Sequence, residues 1–227
     1  TNTITGGSTV ITIQAADLQA LTDGQSYTMT ADVSDAAGNA AAQVTSASFS
    51  VDKTAPSINA IATSDFSWGA VLNLTEDNAD GTVNVSTVGV ENGQTLTLTL
   101  NGQTYTNTIT SNSTVITIAA ADLQALTDGQ SYTMTADVSD AAGNAAAQVT
   151  SASFSVDTTA PSINAIATSD FSWGAVLNLT EDDANGTVTV TTVDVENGQT
   201  LTLALNGTSY TNTITGGSTV ITIQAAD

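Results

Sequence analysis

The sequence predicts an all-β protein built from antiparallel β-sandwich modules in tandem, and three observations carry that reading. Residues 94–100 alternate strictly, with Leu96, Leu98 and Leu100 on one face and Thr95, Thr97 and Thr99 on the other; this period of two is the signature of a half-buried strand. Such stretches recur between turn signals, as a sandwich requires. The sequence also repeats itself: Thr1-Asn2-Thr3-Ile4-Thr5 returns at 106–110 and again at 211–215, a period of 105 residues.

Taken in order, one period reads as follows. Pro56 suits the start or edge of a strand, and 58–63 reads as the first strand. Residues 64–81 form the one long non-alternating connection, carrying Asp65, Phe66, Trp68, Asn73, Glu76, Asp77 and Asp80, and loops of that length are usually functional or tied down by a ligand. Residues 82–90 make the next strand, with Val83 and Val85 inward, and Glu91-Asn92-Gly93 turns the chain into 94–100. Asn101-Gly102 is a strong hairpin signal, returning the chain along 105–110. Residues 114–118 follow with Ile116 and Ile118 inward, and 119–126 reads as a short helical turn before Asp128-Gly129. The penultimate strand, 131–139, turns Tyr132, Met134, Ala136 and Val138 inward, and Tyr132 at its start suits a tyrosine corner. After Asp140-Ala141-Ala142-Gly143-Asn144, the last strand, 148–156, turns Ala152, Phe154 and Val156 inward.

Between the last strand and the next first strand stands Val51-Asp52-Lys53-Thr54-Ala55-Pro56, repeated as Val156-Asp157-Thr158-Thr159-Ala160-Pro161. We read it as the joint between modules: 1–52 closes one module, 53–157 is a complete module, and 158–227 opens a third. Aligning 1–105 with 106–210 leaves 12 differences and 93 identities, and 211–227 repeats 1–17 without change. The two outer parts are complementary, which predicts exchange: 158–227 of one molecule pairing with 1–52 of a neighbour. The chain opens without Met and reads as a piece of a longer array. It shows no signal peptide and no apolar run of membrane-spanning length.

Composition narrows the function. The 227 residues hold 22 acids against one base, Lys53, for a net charge of −21, with no Cys and no His. Nucleic acid and anionic membranes are poor partners for such a surface, and cations are good ones. Thiolate metal sites, disulfides and Cys or His catalysis are excluded, and near-identical tandem copies suit a spacer better than an enzyme. Hydrophobic residues reach 41%, so the chain folds rather than behaving as an acidic tail.

The Val-Asp-x-Thr-Ala-Pro joint, the loop with Val71-Leu72-Asn73 and Glu76, the Leu100-Asn101-Gly102 hairpin, and Thr135-Ala136-Asp137-Val138-Ser139-Asp140-Ala141-Ala142-Gly143-Asn144 together resemble the bacterial immunoglobulin-like extender repeats of large calcium-dependent RTX adhesins. Phe66-Ser67-Trp68 departs from them as a bulkier insertion. The resemblance covers the whole chain. It implies immunoglobulin-like sandwiches, Ca2+ at the joints, and a role at the surface of a Gram-negative cell, holding a ligand-binding tip away from it for adhesion and biofilm formation.

Calcium takes six to eight oxygen ligands in forgiving geometry, so one joint can draw on several loops. The linker aspartates Asp52 and Asp157 are the fixed points. Asp137, Asp140 and Asn144 are candidates at the first joint, and Asp65, Glu76 and Asp77 at the second. Asp32 and Asp35 would serve a joint before the first part, and Asp170, Glu181 and Asp182 one after the third. The plainer alternative for each is a solvated turn residue. The competing function is direct carbohydrate or ice binding, through outward threonine rows such as Thr95, Thr97 and Thr99 or through Trp68 and Trp173. The plainer accounts are stronger: outward threonine is ordinary strand surface, and each Trp better suits covering a loop against the core.

Overall fold

The computed structural model describes residues 3, 4 and 6–225; residues 1, 2, 5, 226 and 227 of the two outer parts lie outside the described residues. In chain order the first part holds α1 (Ala15–Gln19), β1 (Ser26–Tyr27), β2 (Thr30–Ala31), β3 (Val44–Thr45) and β4 (Phe49–Ser50). The middle part holds β5 (Ser57–Ile58), β6 (Val71–Asn73), β7 (Gly81–Val88), β8 (Thr95–Leu100), β9 (Gln103–Thr108), β10 (Ser113–Ile118), α2 (Ala120–Gln124), β11 (Ser131–Tyr132), β12 (Met134–Asp137), β13 (Val149–Thr150) and β14 (Phe154–Asp157). The third part holds β15 (Ser162–Ile163), β16 (Gly186–Val193), β17 (Thr200–Leu205), β18 (Thr208–Thr213) and β19 (Ser218–Ile223). Among the described residues no helix is long and apolar enough to cross a membrane.

The middle part is an immunoglobulin-like sandwich. One layer orders its strands β10-β7-β5, and the facing layer orders β13-β12-β8-β9, continued by β11-β14-β6. Inward residues of both layers, among them Val83, Val85, Leu96, Leu98, Ile116, Ile118, Met134, Ala136 and Phe154, form one buried cluster. Alternation does this: β7 pairs with β10 so that Val83 lies opposite Ile116, and β8 pairs with β12 so that Leu98 lies opposite Ala136, which puts the apolar side of each strand on a shared face. At the β8–β9 hairpin Asn101 takes φ 48° and Gly102 φ 80°, the pair of positive angles that a two-residue turn of the primed kind demands.

Three sequence expectations need correction. The first strand was expected over 58–63, but only Ser57–Ile58 pairs with β7. The chain then turns through a 3-10 helix, Thr63–Asp65, because the Asp65 carboxylate accepts the N–H of Ala62 at 2.8 Å and closes the turn. The segment expected to be irregular over 64–81 contains β6, which runs parallel to β14 with Leu72 opposite Val156 and Asn73 opposite Asp157. Finally, the last two strands are each interrupted. Three steps separate Tyr132 from Thr135, but four separate their partners Phe154 and Thr150, so the last strand carries one extra residue. Such a bulge reverses the alternation: Ser151 is buried and Ala152 faces outward. The Ser151 hydroxyl accepts the Met134 N–H at 2.9 Å, bridging the gap in the ladder.

The tyrosine corner is present. Tyr132 Oη accepts the N–H of Thr127 at 2.9 Å. Trp68 is buried, stacks on Phe66 with ring centroids 5.4 Å apart, and meets Phe154 edge-on at 5.3 Å, so it covers the core and offers no face to a sugar.

Candidate metal centre

At the first joint the linker is held from both sides. Behind it, in the turn after α1, Asp23 Oδ1 accepts the Lys53 N–H at 2.6 Å, and Oδ2 accepts the Thr54 hydroxyl. Ahead of it, Asn144 Nδ2 donates to the carbonyl of Asp52 at 3.3 Å. The Asp52 carboxylate caps its own turn, with Thr54 N donating to Oδ1 at 3.1 Å.

The Asn144 turn is itself organised by Asp140, which is buried. Asp140 Oδ1 accepts the Asn144 N–H at 2.7 Å, and Oδ2 accepts its side-chain amide at 2.8 Å. Burial alone would raise the Asp140 pKa, but the Asn144 amide together with the N–H groups of Asn144, Gly143 and Ala142 outweighs it and holds the carboxyl below its ordinary value. Glu91, absent from the predicted set, reaches the same turn: its Oε2 accepts the Ala141 N–H at 2.9 Å. Asp137 stands apart, clamped by Gln148 Nε2 at 3.0 and 2.9 Å. In the first part Asp35 repeats the Asp140 pattern, its carboxyl held low first by the Asn39 side-chain amide, and Asp32 repeats the clamp through Gln43.

At the second joint Asp128 Oδ1 accepts the Thr158 N–H at 2.8 Å, and Oδ2 accepts the Thr159 hydroxyl. These bonds, the Thr159 hydroxyl foremost and the Thr158 N–H next, lower the Asp128 pKa. Asp157 Oδ1 accepts the Thr159 N–H at 3.3 Å. Because Asn73 lies opposite Asp157 in the β6–β14 ladder, the Asn73–Glu76 turn is brought to this joint; Asn73 N donates to Glu76 Oε2 at 3.1 Å. Asp65 is used in its own turn. In the third part Asp170 accepts the Ala167 N–H at 2.6 Å, Glu181 accepts the Asn178 N–H at 3.0 Å, and the Asp182 N–H donates to the Asn178 carbonyl at 3.1 Å.

Asp77 differs from the rest. It is 7% exposed, and its Oδ1 is buried with no hydrogen-bond partner. A buried carboxylate oxygen without a donor is costly, and a bound cation would relieve it. The donors around the joints are all oxygen, from carboxylates, amides and carbonyls, the set that suits Ca2+ rather than Zn2+ or copper. Carboxylates alone do not make a complete site: among the described residues no three Asp or Glu side chains gather into a group able to hold an ion. A site at these joints would draw on backbone carbonyls as well.

Sequence reasoning missed Asp23 and Asp128 as holders of the linker and Glu91 as a contact of the Asp140 turn. The signal for the first two was present: a Thr-Asp-Gly turn, 22–24 and 127–129, stands at one fixed distance before each joint.

Fold and joints together define a tandem immunoglobulin-like repeat with oxygen-rich linkers. No family model and no curated protein matches the chain. Among solved structures it is similar to a Ca2+-stabilized adhesin that helps an Antarctic bacterium reach out and bind ice, at 30% identity over 88% of this chain and 49% of that one, with a TM-score of 0.45. It is also similar to a 1.5-MDa bacterial ice-binding adhesin studied for host cell surface retention, at 25% identity over 95% of this chain and 68% of that one, TM-score 0.46. A third is a bacterial immunoglobulin-like domain of the M. primoryensis ice-binding adhesin, at 31% identity over 45% of this chain and 95% of that domain, TM-score 0.32. The chain resembles bacterial immunoglobulin-like repeats of large adhesins, and it spans about half the length of the first of these structures.

Proposed function

We propose that these modules are calcium-stiffened spacers of a bacterial surface adhesin, holding a ligand-binding tip away from a Gram-negative cell. Module boundaries fall at the joints, giving 1–52, 53–157 and 158–227. The observation that carries the proposal is the grip on the linker. Asp23 holds Lys53 and Thr54 from behind, Asn144 holds the Asp52 carbonyl from ahead, and Asp128 holds Thr158 and Thr159 in the same way. A linker tied to carboxylates and turns has given up the freedom a loose string of modules needs. Ions on the same oxygens would restrict it further and neutralise crowded negative charge.

On this reading Asp52 works with Asp140 and Asn144, with Asp137 at the margin. Asp157 works with Glu76, Asp77 and Asp65. Asp32 and Asp35, and Asp170, Glu181 and Asp182, are the equivalent sets for the adjoining joints. Calcium stabilisation, stated of the Antarctic adhesin, is proposed for this chain on its own geometry. Melting the protein in millimolar calcium and again in excess chelator tests it. We expect a higher melting temperature with calcium, since an ion that binds the folded state alone stabilises it by mass action; an unchanged melting temperature contradicts the proposal.

The partners are neighbouring identical repeats. The third part leaves a groove of about 340 Å³ lined by Trp173, Leu177, Gly186 and Tyr210. In the middle module the equivalent space around Gly81 and Trp68 is filled by Leu123. Residues 16–52 have the sequence of 121–157, so a following repeat, or the first part of a second molecule, supplies the missing strands. Light scattering at micromolar concentration checks the intermolecular form, which a strictly monomeric, fully folded species would rule out.

A further inference from the structure

The chain's sole basic side chain is already spent at the first joint. Lys53 Nζ donates to the carbonyl of Gln19, the last residue of α1, at 2.9 Å and to the carbonyl of Leu21 at 2.6 Å. Carbonyls at the C-terminal end of a helix lack intrahelical partners and carry partial negative charge. With Asp23 accepting the Lys53 N–H, they make a place that attracts a cation, and here the cation is an ammonium.

The second joint repeats this surrounding. Helix α2 has the same Ala-Ala-Asp-Leu-Gln sequence as α1 and is followed by Ala125 and Leu126 as α1 is by Ala20 and Leu21. Asp128 takes the part of Asp23, accepting the Thr158 N–H and the Thr159 hydroxyl where Asp23 accepts the Lys53 N–H and the Thr54 hydroxyl. One residue differs between the two linkers: Thr158 stands in the place of Lys53. A threonine adds one hydroxyl oxygen to the spot and no positive charge.

We infer that the carbonyls of Gln124 and Leu126, with Asp128, form a calcium site at the second joint, and that the Lys53 ammonium takes the place of that ion at the first. This rests on the calcium reading above and adds to it that two joints of almost the same sequence differ in their need for the ion. The chemistry fits both occupants. An ammonium offers three donors on a compact point charge and meets carbonyls without strict geometry. Calcium accepts mixed carbonyl and carboxylate oxygens with the remaining positions filled by water, whereas magnesium holds to a tighter octahedron and gives up water reluctantly. A lysine-filled joint stays charge-compensated in the absence of calcium, and a threonine joint does not.

Reciprocal exchange of the two residues provides the test. Calcium chloride is titrated calorimetrically into the full chain and into the T158K, T158Q and K53T variants, with circular dichroism recording that each is folded. T158K should bind one equivalent of calcium fewer than the parent and lose less melting temperature on chelation. K53T should bind one equivalent more, and T158Q, long but uncharged, should match the parent. The inference is overturned if folded T158K binds as many ions as the parent, or if T158K fails to fold and K53T gains none. If the parent itself binds no calcium, the calcium reading and this inference fall together; if the parent binds calcium and the exchanges change nothing, only this inference falls.

Discussion

Residues 121–157 and 16–52 have one sequence and two environments. In the middle module Leu123 is 1%, Met134 0% and Phe154 1% exposed; their counterparts Leu18, Met29 and Phe49 are 47%, 50% and 37% exposed. Both copies pair a few strands locally, β1 with β4 and β2 with β3 in one, β11 with β14 and β12 with β13 in the other. The difference is the opposite sheet, which the middle copy receives from 57–118. These short pairings form in either setting, and burial is supplied by segments outside the repeat, such as Leu100 opposite Met134 and Phe66 against Phe154.

The largest expected effect breaks that comparison directly. Truncating Phe154→Ala should cost about 3–5 kcal/mol, the range for a large buried side chain, while Phe49→Ala, measured at a dilution that keeps the chain monomeric, should stay within about 0.5 kcal/mol as a surface change does. Urea denaturation followed by tryptophan fluorescence measures both, and equal losses would mean that the first part is packed in solution. Next in size is Gly81→Ala. A Cβ there would sit 2.6 Å from Trp68 Cζ3 and 2.9 Å from Leu123 Cδ1, an overpacking cost of about 1–3 kcal/mol. At Gly186 the added carbon also meets a ring, that of Trp173, yet that ring is only half-buried beside an open groove and has room to move. Gly186→Ala should therefore cost less, and the same denaturation series checks it.

A smaller effect separates the two tyrosine corners. Tyr132→Phe removes the acceptor of the Thr127 N–H and should cost about 1 kcal/mol. Tyr27→Phe removes the equivalent acceptor for Thr22 where water can replace it, and should cost less. Thermal melts of the two variants decide this.

The smallest effect lies in pH. Asp23 and Asp128 both have lowered carboxyl pKa values, caused first by the hydroxyls of Thr54 and Thr159 and then by the N–H groups of Lys53 and Thr158. A carboxylate whose pKa is depressed on folding contributes stability that is fully present above its unfolded value of about 3.9 and lost as pH falls through the folded value. The linker amides of Lys53 and Thr158, which donate to these carboxylates, should thus keep their protection from hydrogen exchange at neutral pH and lose it in acid below that value. D128N should weaken that protection at the second joint and leave the first unchanged.

Much of the sandwich was legible in the sequence because its evidence is local. Thr95–Leu100, Asn101-Gly102 and Ser113–Ile118 declare their strands and turn within a few residues. Strand β6 was not legible: Val71–Asn73 is three residues long, and its parallel partner lies more than eighty residues away with no turn between them to mark the pairing. The bulge at Ser151 was hidden for a related reason, since alternation predicts faces only while both strands keep step. At the joints, Asp140 and Asn144 were readable because an Asp-to-Asn turn closes on itself. The sandwich order puts the Asp128 turn at the end beside Asp157, but its hold on the Thr158 N–H and the Thr159 hydroxyl is a detail of side-chain geometry that the sequence does not show. Lys53 drew notice only as a charge; that its ammonium would meet the Gln19 and Leu21 carbonyls follows from the end of a five-residue helix, whose position the sequence left loose by several residues.

Small-angle X-ray scattering of the full chain in millimolar calcium and in excess chelator tests the central claim most directly. Stiffened joints predict a longer maximum dimension and a narrower distance distribution with calcium, and a shorter, broader one when the ion is removed while circular dichroism shows the strands intact. Superimposable scattering curves under the two conditions would contradict it.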